Sequence, residues 1–173
     1  ALNIFKEVKT EVETSESKMT KTINVNVEEK PTGEIFAGAG TGTSGSSLSF
    51  GISENNYNGE GIKLGSNFSI TDKSILGKVF LNEPNYKNSN RSFSRSLERS
   101  ENDNMSSYGY KTEKTGFSFG TSYEQYKEIF FSPTLASSYE DISTNSSASA
   151  SKKKQQGSYL DLILDYDIIL NKL

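Results

Sequence analysis

Cysteine, histidine and tryptophan are absent from the 173 residues. That inventory excludes disulfide frameworks, thiol nucleophiles, Cys/His zinc sites, Ser-His-Asp triads and His-ligated haem, and with them most of enzymology. No catalytic residue, metal site or cofactor is expected. An excess of one charge sign is also missing: 19 Lys+Arg stand against 22 Asp+Glu, a net charge of -3. A nucleic-acid partner held by bulk charge is therefore not expected. No run approaches the roughly 18 apolar residues a membrane helix needs, which excludes a helical membrane protein. At 32% hydrophobic residues and a mean hydropathy of -0.61, the chain is also short of material for an ordinary globular core. What it does have is 9 Tyr and 10 Phe, more than a disordered chain of this polarity carries. Apolar residues this scarce have to be placed economically, and the economical arrangement is the one-sided strand.

The length fits a single domain. The chain starts at Ala1 without Met and stops at Leu173 just after an apolar segment, so it reads as a segment cut from a longer protein. Helical spacing occurs only over residues 1–8, where Leu2, Ile4, Phe5 and Val8 fit the last turns of an amphipathic helix. From residue 9 the period is two. Residues 9–13 and then Ile23, Val25 and Val27, with Asn24, Asn26 and Glu28 opposite, predict two strands of a hairpin turning through 15–18. Pro31, Thr32 and Gly33 punctuate the chain and place a boundary between residues 1–30 and 31–173.

Beyond the boundary the alternation repeats eight times. Residues 34–41 set Ile35, Ala37 and Ala39 against Phe36, Gly38 and Gly40. Residues 47–53 set Leu48, Phe50 and Ile52 against Ser47, Ser49, Gly51 and Ser53. Residues 62–71 hold Ile62, Leu64, Phe68 and Ile70 on one side, and 75–81 hold Ile75, Val79 and Leu81. In 92–100, Phe93 and Leu97 share a face with Arg95 and Arg99, so that strand is either poorly buried or shifted in register. Residues 108–123, 129–139 and 160–168 complete the set, the last with Leu160, Leu162, Leu164, Tyr166 and Ile168 against Asp161, Ile163, Asp165 and Asp167. Most of these strands run about 8–12 residues, near the roughly 9–11 a tilted strand needs to cross a bilayer. The two longest connections, 101–107 and 143–156, fall on one side, as the long outer loops of a membrane barrel do, although 84–90 on the other side is too long for a tight turn.

Several motifs invite sharper readings. Gly40, Gly42 and Gly45 have the spacing of a dinucleotide-binding loop, but that role needs a helix to follow and a strand is predicted there. Asp161, Asp165 and Asp167 have the oxygen chemistry for a hard cation, yet on a strand they form a same-face row that a water-filled lumen accommodates. Lys152–Lys154 lies in a Ser/Ala/Asn/Gln tract and reads as a solvated loop, with contact to lipopolysaccharide or another anion as the sharper alternative. The N-x-S sequons at Asn67, Asn90, Asn104 and Asn145 are expected by chance in a chain so rich in Asn and Ser.

Residues Glu29-Lys30-Pro31-Thr32-Gly33-Glu34-Ile35, then Gly38 and Gly40, then Ser53-Glu54-Asn55-Asn56-Tyr57-Asn58-Gly59-Glu60-Gly61, resemble the junction and opening barrel strands of the BamA family. This is the central outer-membrane β-barrel assembly factor of gram-negative bacteria. Asn82-Glu83-Pro84-Asn85-Tyr86 resembles that family's Asp-Pro-Tyr segment, with Glu in place of Asp. Phe5-Lys6-Glu7-Val8 and residues 23–29 resemble the closing helix and last strands of a POTRA module, the periplasmic repeat preceding the barrel. The resemblance is most specific over 29–61 and beyond 86 rests on strand rhythm alone.

The resemblance implies an all-β fold: the end of a POTRA module over 1–30, then the first eight strands of a sixteen-stranded antiparallel transmembrane barrel over 31–173. It implies an outer-membrane location with the N-terminal segment in the periplasm. Unfolded outer-membrane protein clients, outer-membrane lipid and lipopolysaccharide, and accessory lipoproteins are the implied partners. Client strands would pair with the first barrel strand through Ile35, Phe36, Ala37, Gly38, Ala39 and Gly40, next to the junction at Pro31, Thr32 and Gly33. Leu48, Phe50, Ile52, Ile62, Leu64 and Phe68 would face lipid. The rival readings are a passive porin, a POTRA-barrel translocator of the TamA or two-partner secretion kind, and a soluble β-rich adhesin with its apolar face buried on a second sheet.

Overall fold

The computed structural model describes residues 4–15, 20–42 and 45–172. Two strands, β1 (Phe5–Ser15) and β2 (Thr20–Glu29), form a separate antiparallel hairpin. Eight more follow: β3 (Gly33–Gly42), β4 (Gly45–Tyr57), β5 (Ile62–Thr71), β6 (Ser74–Glu83), β7 (Ser92–Asn104), β8 (Tyr110–Tyr126), β9 (Ile129–Thr144) and β10 (Gly157–Leu170). They form one antiparallel sheet in which each strand lies beside its sequence neighbours, from β3 at one edge to β10 at the other. Two short helices, α1 (Met105–Tyr108) and α2 (Ala150–Lys154), sit in connections.

The predicted helix over residues 1–8 is not found in the part described: Ile4 belongs to no helix or strand, and Phe5 to Val8 open β1. Four apolar residues in so short a stretch satisfy either period, and pairing with β2 decides for the strand. The predicted turn at 15–18 lies almost wholly outside the described residues. In the hairpin, Val8 faces Val27 and Val12 faces Ile23, so its apolar side chains share one face.

Turn chemistry explains the tight connections. Between β4 and β5, Asn58, Gly59 and Gly61 take positive φ of 61°, 73° and 69°. Between β5 and β6, the Thr71 hydroxyl accepts from the Ser74 amide at 2.9 Å. Between β8 and β9, Glu128 takes a φ of 67° while its amide donates to Glu124 Oε1 at 2.8 Å.

Cross-strand register sorts the large sheet into two unlike faces. Ile35, Ile52, Ser66, Val79, Leu97, Phe117, Ser137 and Leu162 lie opposite one another in succession and mark the apolar face. On the other face serines recur, and their hydroxyls meet in pairs: Ser49 with Ser69 at 3.2 Å, Ser96 with Ser118 at 2.9 Å, Ser132 with Ser122 at 2.7 Å. Among the described residues neither face is covered by another layer. The accessible surface of 12620 Å² compares with about 8,400 Å² for a compact folded monomer of 19.1 kDa. The excess is carried in large part by side chains of the apolar face, with Leu160, Leu162 and Leu164 74–77% exposed. No second sheet packs on this face among the described residues, so the arrangement predicted for a β-rich adhesin is not present there.

Of the two alternatives for β7 the poorly buried strand stands and the register shift falls away, and the expectation about the long connections is corrected. The register of β7 is continuous with both neighbours, with no shift. Its arginines are tolerated on the apolar face by local partners: Arg95 lies 3.5 Å from Glu83 and over the Phe93 ring, and Arg99 lies 2.8 Å from Glu113. Because β7 runs on to Asn104, the expected loop at 101–107 shrinks to the connection 105–109. The two longest connections, 145–156 and 84–91, therefore fall on opposite ends of the sheet, where the sequence reading put both long tracts at one end. The polar ends of β7 and β8 extend as ladder because charge pairs knit them, Lys111 reaching Glu101 at 2.8 Å and Glu113 at 2.9 Å.

Candidate functional site

The edge strand β3 is built from small residues and pairs only with β4 among the described residues. Alternation puts Ile35, Ala37 and Ala39 on the apolar face and Phe36, Gly38 and Gly40 on the serine-rich one. Every residue of β3 is exposed, Ile35 to 82%. A Cβ added at Gly38 would meet nothing within 4 Å, so the middle of this edge presents backbone rather than side chains. Phe36 is the exception. Its ring lies over Gly51 of β4, where an added Cβ would come within 2.2 Å of Phe36 Cε1; only glycine admits the ring. Phe80 covers Gly65 in the same way, at 2.6 Å. One strand in from the edge, the scaffold thus grips β3 through an aromatic ring on a bare backbone.

The foot of β3 is pinned by a polar clasp. The Thr32 hydroxyl donates to Glu54 Oε1, and the same oxygen accepts the Asn56 amide at 2.8 Å. Thr32 O accepts from the Asn55 amide at 3.2 Å and from Asn55 Nδ2 at 2.9 Å, while that Nδ2 also donates to Glu34 Oε1 at 3.1 Å. Asn56 Oδ1 then accepts from the Gly61 amide at 2.7 Å, tying the clasp to the β4–β5 turn. Lys30 donates its amide to Ile4 O at 3.1 Å, closing the base of the hairpin just before the junction. Of the expected junction residues, Thr32 carries the side-chain contact, and Pro31 and Gly33 flank it. Glu54, Asn55 and Asn56 were not singled out for this role by the sequence. Their signal is a carboxylate and two Asn just before an Asn-Gly turn, which becomes a clasp only when register brings residue 32 beside them.

Leu48, Phe50, Ile52, Leu64 and Phe68 all lie on the apolar face, and the Phe50 and Phe68 rings stack at 5.1 Å. Ile62 differs: it is 9% exposed. The register shift between Glu54 and Tyr57 brings Tyr57 opposite Ile62, and Ile62 is covered rather than presented. Beside this irregularity the apolar face is indented by a cavity of about 620 Å³ lined by Ile35, Ile52, Tyr57, Leu64 and Val79, with Ser66 the short side chain among them.

No protein-family model matches the chain, and no curated protein does. Among solved structures, the crystal structure of BamA from Haemophilus ducreyi lacking POTRA domains 1-3 superposes with a TM-score of 0.76 at 22% identity, covering 96% of this chain and 34% of that one. The chain has that barrel's fold. It spans about a third of the length of the matched protein, and its eight strands form an open sheet with β3 and β10 as edges.

The remaining motifs settle into this frame. Gly40 and Gly42 end β3 and Gly45 opens β4, so a strand follows where a phosphate-binding loop needs a helix. Asp161, Asp165 and Asp167 lie opposite Ser138, Thr134 and Ser132 on the serine-rich face. No group of three or more Asp or Glu among the described residues is arranged to hold a metal ion.

Proposed function

We propose that the protein assembles and inserts β-barrel proteins into the bacterial outer membrane, with client strands pairing on the free edge of β3. The observation that carries this reading is the edge itself: a strand whose middle is Gly38, Ala39 and Gly40, each exposed, at one edge of a sheet with an uncovered apolar face. A client strand entering hydrocarbon must satisfy its backbone groups, each of which costs several kcal/mol if left unpaired. An edge rich in backbone and poor in side chains satisfies them by strand addition whatever the client's sequence. No bond is made or broken, so no catalytic group is called for.

In this reading the apolar face meets lipid, the serine-rich face lines the lumen, and the connection 145–156 lies outside the cell. Residues 1–30 are the end of a POTRA module in the periplasm, joined at the Thr32–Glu54 clasp. Unfolded outer-membrane proteins are the clients, lipid and lipopolysaccharide the surroundings, and accessory lipoproteins further partners. The fold shared with the BamA barrel and the motifs at 29–61 support the assignment.

The test is a photo-crosslinking residue at Ala37 in the intact protein in cells, with Leu64 on the apolar face as control. Adducts to newly made outer-membrane proteins through their last strands, formed at Ala37 and absent at Leu64, are expected. A folded barrel that yields no client adduct at Ala37 would leave a passive pore or a secretion translocator as the better reading.

A further inference from the structure

At the opposite end of the sheet from the clasp, two connections form a built cup. The sequence presents 145–156 as a low-complexity loop, but in the structure it is folded and fastened. Gly109, at φ 71°, leaves the space into which the 145–148 turn fits; an added Cβ there would come within 2.4 Å of the Ala148 amide nitrogen. The Asn145 amide donates to Gly109 O at 2.8 Å, and Ala148 is buried against the connection. Ser149 Oγ accepts from the Lys152 amide at 3.2 Å, and Lys153 Nζ donates to Ser146 O at 2.7 Å. Between α1 and α2 these contacts leave a cavity of about 380 Å³ lined by Ser107, Tyr108, Tyr110, Ser147, Ser149 and Lys152. That volume suits a small ligand.

The lining is selective in its chemistry. Lys152 Nζ lies 4.7 Å from the Tyr110 ring centroid, and Lys73 Nζ, 2.9 Å from Ser107 Oγ, lies 5.9 Å from the Tyr108 centroid. Neither ammonium makes an ion pair with a carboxylate among the described residues. No carboxylate is among the lining residues; Glu101 and Glu113 pair with Lys111, Asp103 Oδ1 accepts from the Met105 amide at 2.9 Å, and Asp72 Oδ2 accepts from the Ser46 amide at 3.4 Å. Hydroxyls, aromatic rings and the unneutralised ammonium of Lys152 around one cavity, with Lys73 bonded to its rim at Ser107, form the set that recognises a sugar bearing an acidic group. We infer that this cup binds a phosphorylated sugar, the ammonium of Lys152 meeting the phosphate and the serine and tyrosine hydroxyls meeting the ring. The inference does not depend on how β3 is used. Its ligand could be a free sugar phosphate or the phosphorylated sugars of lipopolysaccharide.

The test is titration of the intact protein in detergent micelles with glucosamine 1-phosphate, glucosamine and inorganic phosphate, followed by ligand-observed NMR. Saturable binding of the sugar phosphate is expected, weakened about tenfold by Lys152→Gln through loss of one charge-assisted contact, and unchanged by Lys154→Gln, outside the lining. Purified lipopolysaccharide competing for the labelled sugar phosphate would identify the membrane source, and failure to compete the free sugar; either sustains the cup. Absence of saturable binding overturns the inference. So does inorganic phosphate or glucosamine binding as tightly as the sugar phosphate, or Lys154→Gln weakening binding as much as Lys152→Gln.

Discussion

The two edges of the large sheet solve opposite problems. On β3 the central residues are Gly38, Ala39 and Gly40, which leave its middle nearly bare of side chains; on β10 the apolar face carries Leu160, Leu162, Leu164, Tyr166 and Ile168, each well over half exposed. β10 is held to β9 by an unbroken register from Gly157 to Leu170, whereas β3 is held by a shorter ladder plus a clasp at its foot and a ring over Gly51. A strand that offers backbone accepts a partner of any sequence, because main-chain hydrogen bonds do not read side chains. A strand that offers a leucine row instead requires an apolar environment along its whole length. The contrast teaches that an edge can keep few side chains in its middle when its attachment is supplied near one end, here by the Phe36 ring over Gly51 and by the clasp just before the strand.

The largest effect is expected at the leucine row. Leu162→Arg puts a charge on the face read as lipid-facing and is expected to lower stability by about 2–4 kcal/mol in bilayers, read from urea unfolding of the intact protein. A loss below about 1 kcal/mol would mean that the row faces water, and the distinction between the edges would collapse.

Next comes the grip on β3. Gly51→Val places a branched side chain where Phe36 now lies and is expected to cost about 1–3 kcal/mol, as overpacking does. Its second signature is specific: Phe36 becomes more accessible and amide exchange along β3 accelerates, with β9 and β10 unchanged. Uniform acceleration across the sheet would show that Gly51 supports the whole fold and not the edge.

A smaller effect is expected at the clasp. Thr32→Val removes the hydroxyl that donates to Glu54 and leaves the Asn56 amide as one of fewer donors to that carboxylate. Faster hydrogen exchange at Asn56, with the Asn55 amide still protected by Thr32 O, is the expected outcome. Unaltered exchange at both positions would mean that the turn holds itself without the junction.

The face pattern was legible because period two on a one-sided strand is the simplest signal a sequence can write: Leu48, Phe50 and Ile52 announce their side without any knowledge of neighbours. Strand ends were not, since Glu101, Asn102 and Asp103 look like loop residues until register sets them beside β8, where Lys111 pairs with Glu101. Ile62 was placed by parity alone, and the irregularity after Glu54 hides it. The clasp joins residues some twenty positions apart, so only register reveals it. The fastening of 145–156 depends on a gap left by Gly109, which composition cannot express.

The least effect is expected on the polar side of β10, and this completes the comparison. Asp161, Asp165 and Asp167 share the strand with the leucines but point to the serine-rich face, opposite Ser138, Thr134 and Ser132. If that face lines a water-filled lumen, a carboxylate there keeps its solvent, and Asp165→Asn should change stability by less than about 0.5 kcal/mol, the range for surface substitutions. The same unfolding assay as for Leu162→Arg makes the two sides of one strand directly comparable. Near-neutrality at Asp165 beside a large loss at Leu162 would separate a wet face from a lipid face within a single strand. A loss above about 1 kcal/mol at Asp165 would mean that the row is engaged by a partner across the lumen, and β10 would then be fixed on both faces while β3 stays free on both.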